Sequence, residues 1–259
     1  MTDTPVSTPR RGVTQDFLLD RRVVLYQPEH GYRVAIDPVF LAAAVPVRSG
    51  ERVLELGAGV GAASLCLAAR VPACRITGIE IDEELAGLAR DNIARNGLAD
   101  RVSIHHGDLR EPLPDLLPAS FHHVMANPPF LPISAATVSP VRAKTRANFE
   151  DDTDLTAWVR AALLLAQPKG TLSFIYRADR MQWLLAELAG HLGEIIVYPL
   201  WPSVGKDAKR IIVHARKGVS TPTRIASGLI LHEADGRFTE AAQSVLRLGA
   251  PLPLGIPPA

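Results

Sequence analysis

The sequence predicts an α/β protein: a doubly wound, mostly parallel sheet of seven strands, entered through an N-terminal hairpin and helix. Three observations carry that prediction. From Arg52 onward, short apolar runs alternate with amphipathic stretches of helical period. The first run, Arg52-Val53-Leu54-Glu55-Leu56, feeds directly into Gly57-Ala58-Gly59-Val60-Gly61 and then a helical segment, Ala62 to Arg70. Polar residues suited to a ligand close the runs at their carboxyl ends, where open parallel sheets hold ligands.

The chain has 259 residues, 47% hydrophobic and 21% charged, an ordinary globular composition. No apolar run approaches the roughly 20 residues that span a bilayer. Met1 to Thr14 is polar and lacks a signal-peptide core. Cys66 and Cys74 alone make neither a disulfide framework nor a metal site, so a metal-free cytoplasmic protein is expected. A net charge of +1 decides nothing about nucleic acid, because a local basic patch is what binds phosphate. The expected organisation is a disordered start (1–15), an N-terminal extension (16–50), the sheet domain (51–218), its C-terminal extension (219–247) and a flexible tail (248–259).

Along the chain, Val23 to Gln27 and Tyr32 to Ile36 flank a Pro-Glu-His-Gly turn and predict a hairpin. Asp37-Pro38 reads as cap and first residue of the helix through Val45. The glycine turn after Leu56 fits a loose dinucleotide fingerprint and is weak evidence alone. Its value rises with Arg75 to Glu80, a second strand ending in an acid about 20 residues on, where a carboxylate can accept both ribose hydroxyls. Glu83 to Asn96 is an amphipathic helix stopped by Gly97. Val102 to His106 is the third strand, closed by Gly107-Asp108, with Asp108 placed to accept from an adenine amino group or simply to serve a turn.

His122 to Ala126 is the fourth strand, and Asn127-Pro128-Pro129-Phe130 ends it in a rigid polar turn. A side-chain amide, carbonyls fixed by proline and an aromatic plane suit a flat group bearing an NH2; a plain turn capped by a buried Phe is the competing reading. Residues 133–152 form a long polar connection holding Arg142, Lys144 and Arg146, expected to face a substrate. Asp154 is the expected cap of a helix through Gln167, followed by a strand from Thr171 to Tyr176, a helix from Met181 to Gly190, and an antiparallel pair, Ile195 to Leu200 with Arg210 to Ala215. Arg210, Arg216, Lys217 and Arg224 make a modest basic cluster, with nucleic-acid binding and a solvated surface at even odds. The pairs His105-His106 and His122-His123 point to opposite strand faces, clamp no single metal, and read as structural.

Val53 to Gly61, Glu80, Gly107-Asp108 and Asn127 to Phe130 resemble the successive motifs of class I S-adenosylmethionine-dependent methyltransferases over roughly Arg52 to Arg216. Further blocks resemble the bacterial tRNA(Val) adenine-N6 methyltransferase family: Gln27 to Arg33 leading into Asp37, Asp154 to Trp158, Tyr176 to Arg180, Ala208 to Gly218 and Leu231 to Gly236. Lys169-Gly170 departs from that family's usual Gly-Gly turn.

The resemblance implies a Rossmann-like methyltransferase. Its cofactor would be S-adenosylmethionine, held by Asp37, Glu55, Gly57, Gly59, Gly61, Glu80, Ile81, Asp108 and Asn127, with Arg33 and Asp37 bordering the methionine end. Asn127, Pro128 and Phe130 would present an exocyclic amine, and Phe130, Arg142, Lys144 and Arg146 would face tRNA. Two hydrogen bonds to the amine would favour a pyramidal nitrogen with its lone pair free for the methyl group. The alternatives are a guanine-N2 or glutamine-N5 methyltransferase, a nicotinamide-dependent oxidoreductase, and a non-catalytic RNA-binding protein.

Overall fold

The computed structural model describes residues 12–31, 33–113, 116–129 and 152–255; Tyr32, Phe130, Arg142, Lys144 and Arg146 lie outside them. The central sheet runs β5 (Val102–His106), β4 (Arg75–Glu80), β3 (Arg52–Leu56), β6 (Phe121–Ala126), β7 (Ala166–Arg177), β9 (Arg210–Lys217), β8 (Leu192–Trp201). All are parallel except β9, which is antiparallel to both neighbours. The two-residue strands β10 (Arg224–Ile225) and β11 (Leu229–Ile230) add to the free edge of β8, giving nine strands where seven were expected. β3 is buried along Val53 to Leu56 and β7 along Gly170 to Tyr176, as strands covered on both faces must be.

Helices α1 (Asp37–Ala44), α2 (Ala62–Arg70), α3 (Glu83–Arg95) and α6 (Glu240–Leu248) belong to one apolar cluster with β2 and the edge of the sheet. Helices α4 (Asp152–Leu165) and α5 (Met181–Leu188) build the second cluster around β6, β7 and β8. The switch point lies between β3 and β6, which flank each other while their connections lead to opposite sides. Leu56 is in register with Ala126, so Gly57 and Asn127 leave adjacent strands at the same level.

Several expectations are corrected. The N-terminal hairpin pairs β1 (Val13–Leu18) with β2 (Val23–Pro28), so Val13 to Gln15 are ordered strand and residues 33–36 are not strand. Its turn escaped the sequence because it contains neither Gly nor Pro: Leu19, Asp20 and Arg21 themselves take φ of 50°, 53° and 67°. Burial of the Leu19 side chain against the core holds that conformation. α1 is capped by Ile36 and not by Asp37, which sits inside the first turn with its side chain committed elsewhere. α4 begins two residues before Asp154 and ends at Leu165, and β7 starts at once in Ala166, with the irregular register absorbed by Lys169 at φ 62°. The chain end is docked through Gly255: Leu252 and Leu254 are buried, and Leu252 N donates to Ala43 O at 2.9 Å.

One device fastens the hairpin to the sheet domain. Asn92 on α3 and Asn96, its C-cap one helical turn on, each grip a β2 residue through both its N–H and its carbonyl: Tyr26 at 2.8 and 2.8 Å, Val24 at 2.9 and 2.7 Å. A helix turn of about 5.4 Å and a two-residue strand repeat of about 6.7 Å are close enough for side-chain amides to bridge.

Candidate cofactor and substrate site

Gly57, Gly59 and Gly61 all take left-handed φ (63°, 54°, 83°), and Gly61 caps α2. Gly57 has a second reason to lack a side chain: a Cβ there would lie 2.2 Å from the Trp158 ring of α4. At Gly57 the protein itself fills the space that a Cβ would take. Opposite, the Asn92 Nδ2 that holds Tyr26 O also donates to Val60 O at 3.0 Å. The turn is therefore pressed by an indole on one side and tethered by an amide on the other. Neither Trp158 nor Asn92 was legible as a site residue, because each comes from a helix remote in sequence.

Glu80 closes β4 with both carboxylate oxygens engaged: Oε2 accepts from Gly59 N at 2.7 Å and Oε1 from Asp82 N at 2.9 Å. Burial pushes its pKa up, against the backbone bonds that pull it down. Ile81 follows as an apolar side chain 45% exposed at the strand end. Glu55 differs from these. It is buried beneath the edge, bound to Ser64 N at 3.0 Å and to the Ser64 hydroxyl, and burial raises its carboxyl to about 8. In this structure it locks β3 to α2 and does not reach the open edge.

Asp108 stands at the end of β5, where its carboxylate takes the Arg110 guanidinium at 2.6 to 3.1 Å and the Arg110 N–H at 2.9 Å. Asp37 Oδ2 pairs with Arg210 Nε at 2.9 Å, joining α1 to the start of β9. Arg33 is held on the hairpin by Asp16 at 3.1 Å and Thr14 at 2.9 Å. The basic cluster is dispersed: Arg216 pairs with Glu194 at 2.8 Å, Lys217 reaches Leu163 O and Ala166 O, and Arg224 binds the Leu254 and Gly255 carbonyls.

Asn127 leaves β6 beside the glycine turn. Its Oδ1 is buried and has no hydrogen-bond partner among the described residues. A buried amide oxygen without a donor costs about 1–3 kcal/mol, so the position favours a ligand that brings an N–H. The histidine pairs serve structure. His123 bridges Thr171 Oγ1 at 2.8 Å and Glu51 at 2.9 Å, and His106 contacts Ile81 O and Glu83. No group of three His, Cys, Asp or Glu among the described residues can hold a metal, and none of their helices is long and apolar enough to cross a membrane.

The set suits S-adenosylmethionine. Glu80 would offer acceptors for ribose, Ile81 an apolar wall for adenine and the glycine turn a close backbone, while the Asn127 amide oxygen beside them has no partner among the described residues. A parallel sheet with one reversed strand between β7 and β8, and these groups along its carboxyl edge, defines a Rossmann-like S-adenosylmethionine-dependent methyltransferase. Residues 34–144 match the family model for the methyltransferase small domain. A Porphyromonas gingivalis protein named tRNA1(Val) (adenine(37)-N6)-methyltransferase is 31% identical over 238 residues, covering 86% of this chain and 91% of the relative. An Aeromonas hydrophila protein of the same name is 27% identical over 211 residues, covering 80% and 86%. Among solved structures, a predicted O-methyltransferase of Agrobacterium tumefaciens superposes with TM-score 0.70 at 25% identity, over 83% of this chain and 98% of that one. The chain belongs to the class I methyltransferases and, within them, to the family of those tRNA1(Val) (adenine(37)-N6)-methyltransferase relatives.

Proposed function

We propose that this enzyme methylates the exocyclic N6 of an adenine in tRNA, beside the anticodon of tRNA(Val). The relatives bearing that activity in their names support the substrate. The observation that carries the chemistry is the buried Oδ1 of Asn127, which has no partner among the described residues. An aromatic amine has two N–H groups and a lone pair delocalised into its ring. Asn127 Oδ1 accepts one N–H and the Pro128 carbonyl the other, which draws the nitrogen toward a pyramidal geometry and stabilises the positive charge that develops on it. A hydroxyl, with a single hydrogen, would leave one of those acceptors unpaired.

When bound, S-adenosylmethionine supplies an electrophilic methyl carbon. The chain's own work is positional: the crevice between β3 and β6 brings the amine and the cofactor side together, and the flanking helices exclude water. Phe130, placed outside the described residues, is the proposed stacking plane for the base, worth about 1–3 kcal/mol. The proton leaves after transfer, so no side-chain base is required.

Methyl transfer from labelled cofactor to unmodified tRNA, followed by nucleoside analysis, tests the reading. N6-methyladenosine from the wild type, and a loss of about 100-fold or more in kcat for Asn127→Ala with S-adenosylhomocysteine affinity retained, is the expected result. N2-methylguanosine, or a methylated glutamine in protein, would reassign the substrate and keep the site.

A further inference from the structure

On the reading above, the cofactor takes one half of the carboxyl edge and the base reaches Asn127 from the other. The glycine turn, Glu80 and Asp108 close β3, β4 and β5, which commits that half of the carboxyl edge to the cofactor. A nucleotide chain delivering a base to Asn127 therefore crosses the other half, over β7, β9 and β8. That half stands taller: Ala126 is in register with Phe174, and β7 continues to Arg177. Arg177, Arg210, Leu200 and Leu229 then form one row across β7, β9, β8 and β11. From β6 to β8 is three strand spacings, roughly 14 Å at about 4.8 Å each, a distance that a few nucleotides span.

Beyond the row, the β8–β9 loop carries Lys206 and Lys209, both exposed, against the single carboxylate of Asp207. Arg177 and Arg210 are held by Asp179 and Asp37, whereas neither lysine enters an ion pair with any described residue. Between this loop and the C-terminal extension lies an open cavity of about 740 Å³, lined by Trp201, Val204, Lys206, Ile230 and Thr239. Its volume falls within the roughly 300–1,000 Å³ of small-ligand sites. The Trp201 ring is fixed in place, its Nε1 donating to Ser227 O at 3.0 Å, and a Cβ on Gly228 would lie 2.7 Å from that nitrogen. Val204 is 80% and Ile230 38% exposed. A fixed aromatic with open apolar neighbours, bordered by uncommitted cations, is the combination that holds single-stranded nucleic acid.

We infer that this surface binds the single-stranded RNA next to the methylated base, seating one nucleobase in the Trp201 cavity with the backbone over Lys206 and Lys209. The inference rests on the tRNA reading above. Extended RNA is a better occupant than a folded protein, because the exposed charge beside the cavity is cationic, Lys206 and Lys209 against Asp207, and complements phosphate.

The test compares the full chain with Lys206→Gln/Lys209→Gln and with Val204→Asp, using unmodified tRNA. Expected for the double variant is a KM for tRNA raised about ten-fold with kcat and S-adenosylhomocysteine affinity unchanged. Its slope of log affinity against log salt should be shallower by roughly 1.4, at about 0.7 per lost contact to single-stranded phosphate. Val204→Asp should raise KM in the same way. Because all three side chains are exposed, thermal midpoints stay within a few degrees of wild type. Unchanged KM and slope, with tRNA methylation by the wild type intact, overturns the surface and leaves the proposed function standing. A wild type that methylates protein and no RNA overturns both.

Discussion

The Glu80 carboxylate spans from the end of β4 to the glycine turn, accepting the Gly59 N–H at 2.7 Å. One side chain thereby shapes the backbone that approaches the cofactor and, with the remaining lone pairs of its two oxygens, stays able to accept ribose hydroxyls.

Glu80→Gln puts an NH2 where at least one backbone N–H needs an acceptor. Hydrogen bonds to a charged group are worth about 1.5–3 kcal/mol, so calorimetry should show S-adenosylhomocysteine affinity reduced by roughly ten-fold or more. A variant that melts earlier yet binds as well as wild type would assign Glu80 to architecture alone.

Gly57→Ala drives a methyl group into the Trp158 ring at 2.2 Å and places alanine at φ 63°. The variant should lose several kcal/mol, by overpacking of about 1–3 and left-handed backbone strain of about 1–2. Replacing Trp158 by Leu in that background should recover the steric part only. Urea melts of the four proteins would give a coupling energy of about 1 kcal/mol or more; strict additivity would mean that the indole yields freely.

Asn92→Ala strips partners from Tyr26 N, Tyr26 O and Val60 O together. Equilibrium unfolding should show a loss of about 3 kcal/mol, and the KM for S-adenosylmethionine should rise as the glycine turn loosens. Asn96→Ala releases Val24 and leaves Val60 held, so it should lower stability with the cofactor KM unmoved.

Buried titrating groups, Glu55 and His214 foremost, predict how stability follows pH. Burial lifts Glu55 from 4.5 to about 8, with the Glu80 charge adding to the lift and Ser64 opposing it. Between those values the native protein keeps a proton that the unfolded chain has released, so stability falls with rising pH by about 1.4 kcal/mol per unit. His214, hydrogen-bonded to Ser173, is lowered by burial from 6.5 to about 3, so its contribution is lost as pH falls through that window. The two oppose each other from 4.5 to 6.5; from 6.5 to 8 the His214 contribution is constant and Glu55 keeps lowering stability, with Glu80, also raised by burial, acting in the same direction for as long as it keeps its proton. Thermal melts should decline over that upper interval in the wild type and clearly less steeply in Glu55→Gln, whose amide can still accept from Ser64 N. A decline that persists in the variant belongs to another group.

Much of the fold was legible because parallel strands and their crossover helices write periodic patterns. The glycine turn, the acid ending β4 and the Asn-Pro-Pro turn are local signals, since backbone conformation and strand ends are governed by neighbouring residues. The hairpin was misread for the converse reason. Its turn is held by burial of Leu19 and not by turn residues, while Pro-Glu-His-Gly supplied a false signal. The tail beyond Leu248 looked frayed from its prolines, yet Leu252 and Leu254 dock against the core.

By itself, then, the sequence determined the alternation of strands and helices, the edge on which ligands sit and the residue types presented there. Only the tertiary structure decided which of those groups are free to act. It turned Glu55 inward to Ser64, tied Asp37 to Arg210, and left Asn127 Oδ1 beside the glycine turn without a partner among the described residues. It also recruited Trp158 and Asn92 to that turn from helices distant in the chain. The physical reason is that hydrogen-bond satisfaction and close packing are settled between elements, where contacts depend on register and burial that no single stretch of sequence encodes.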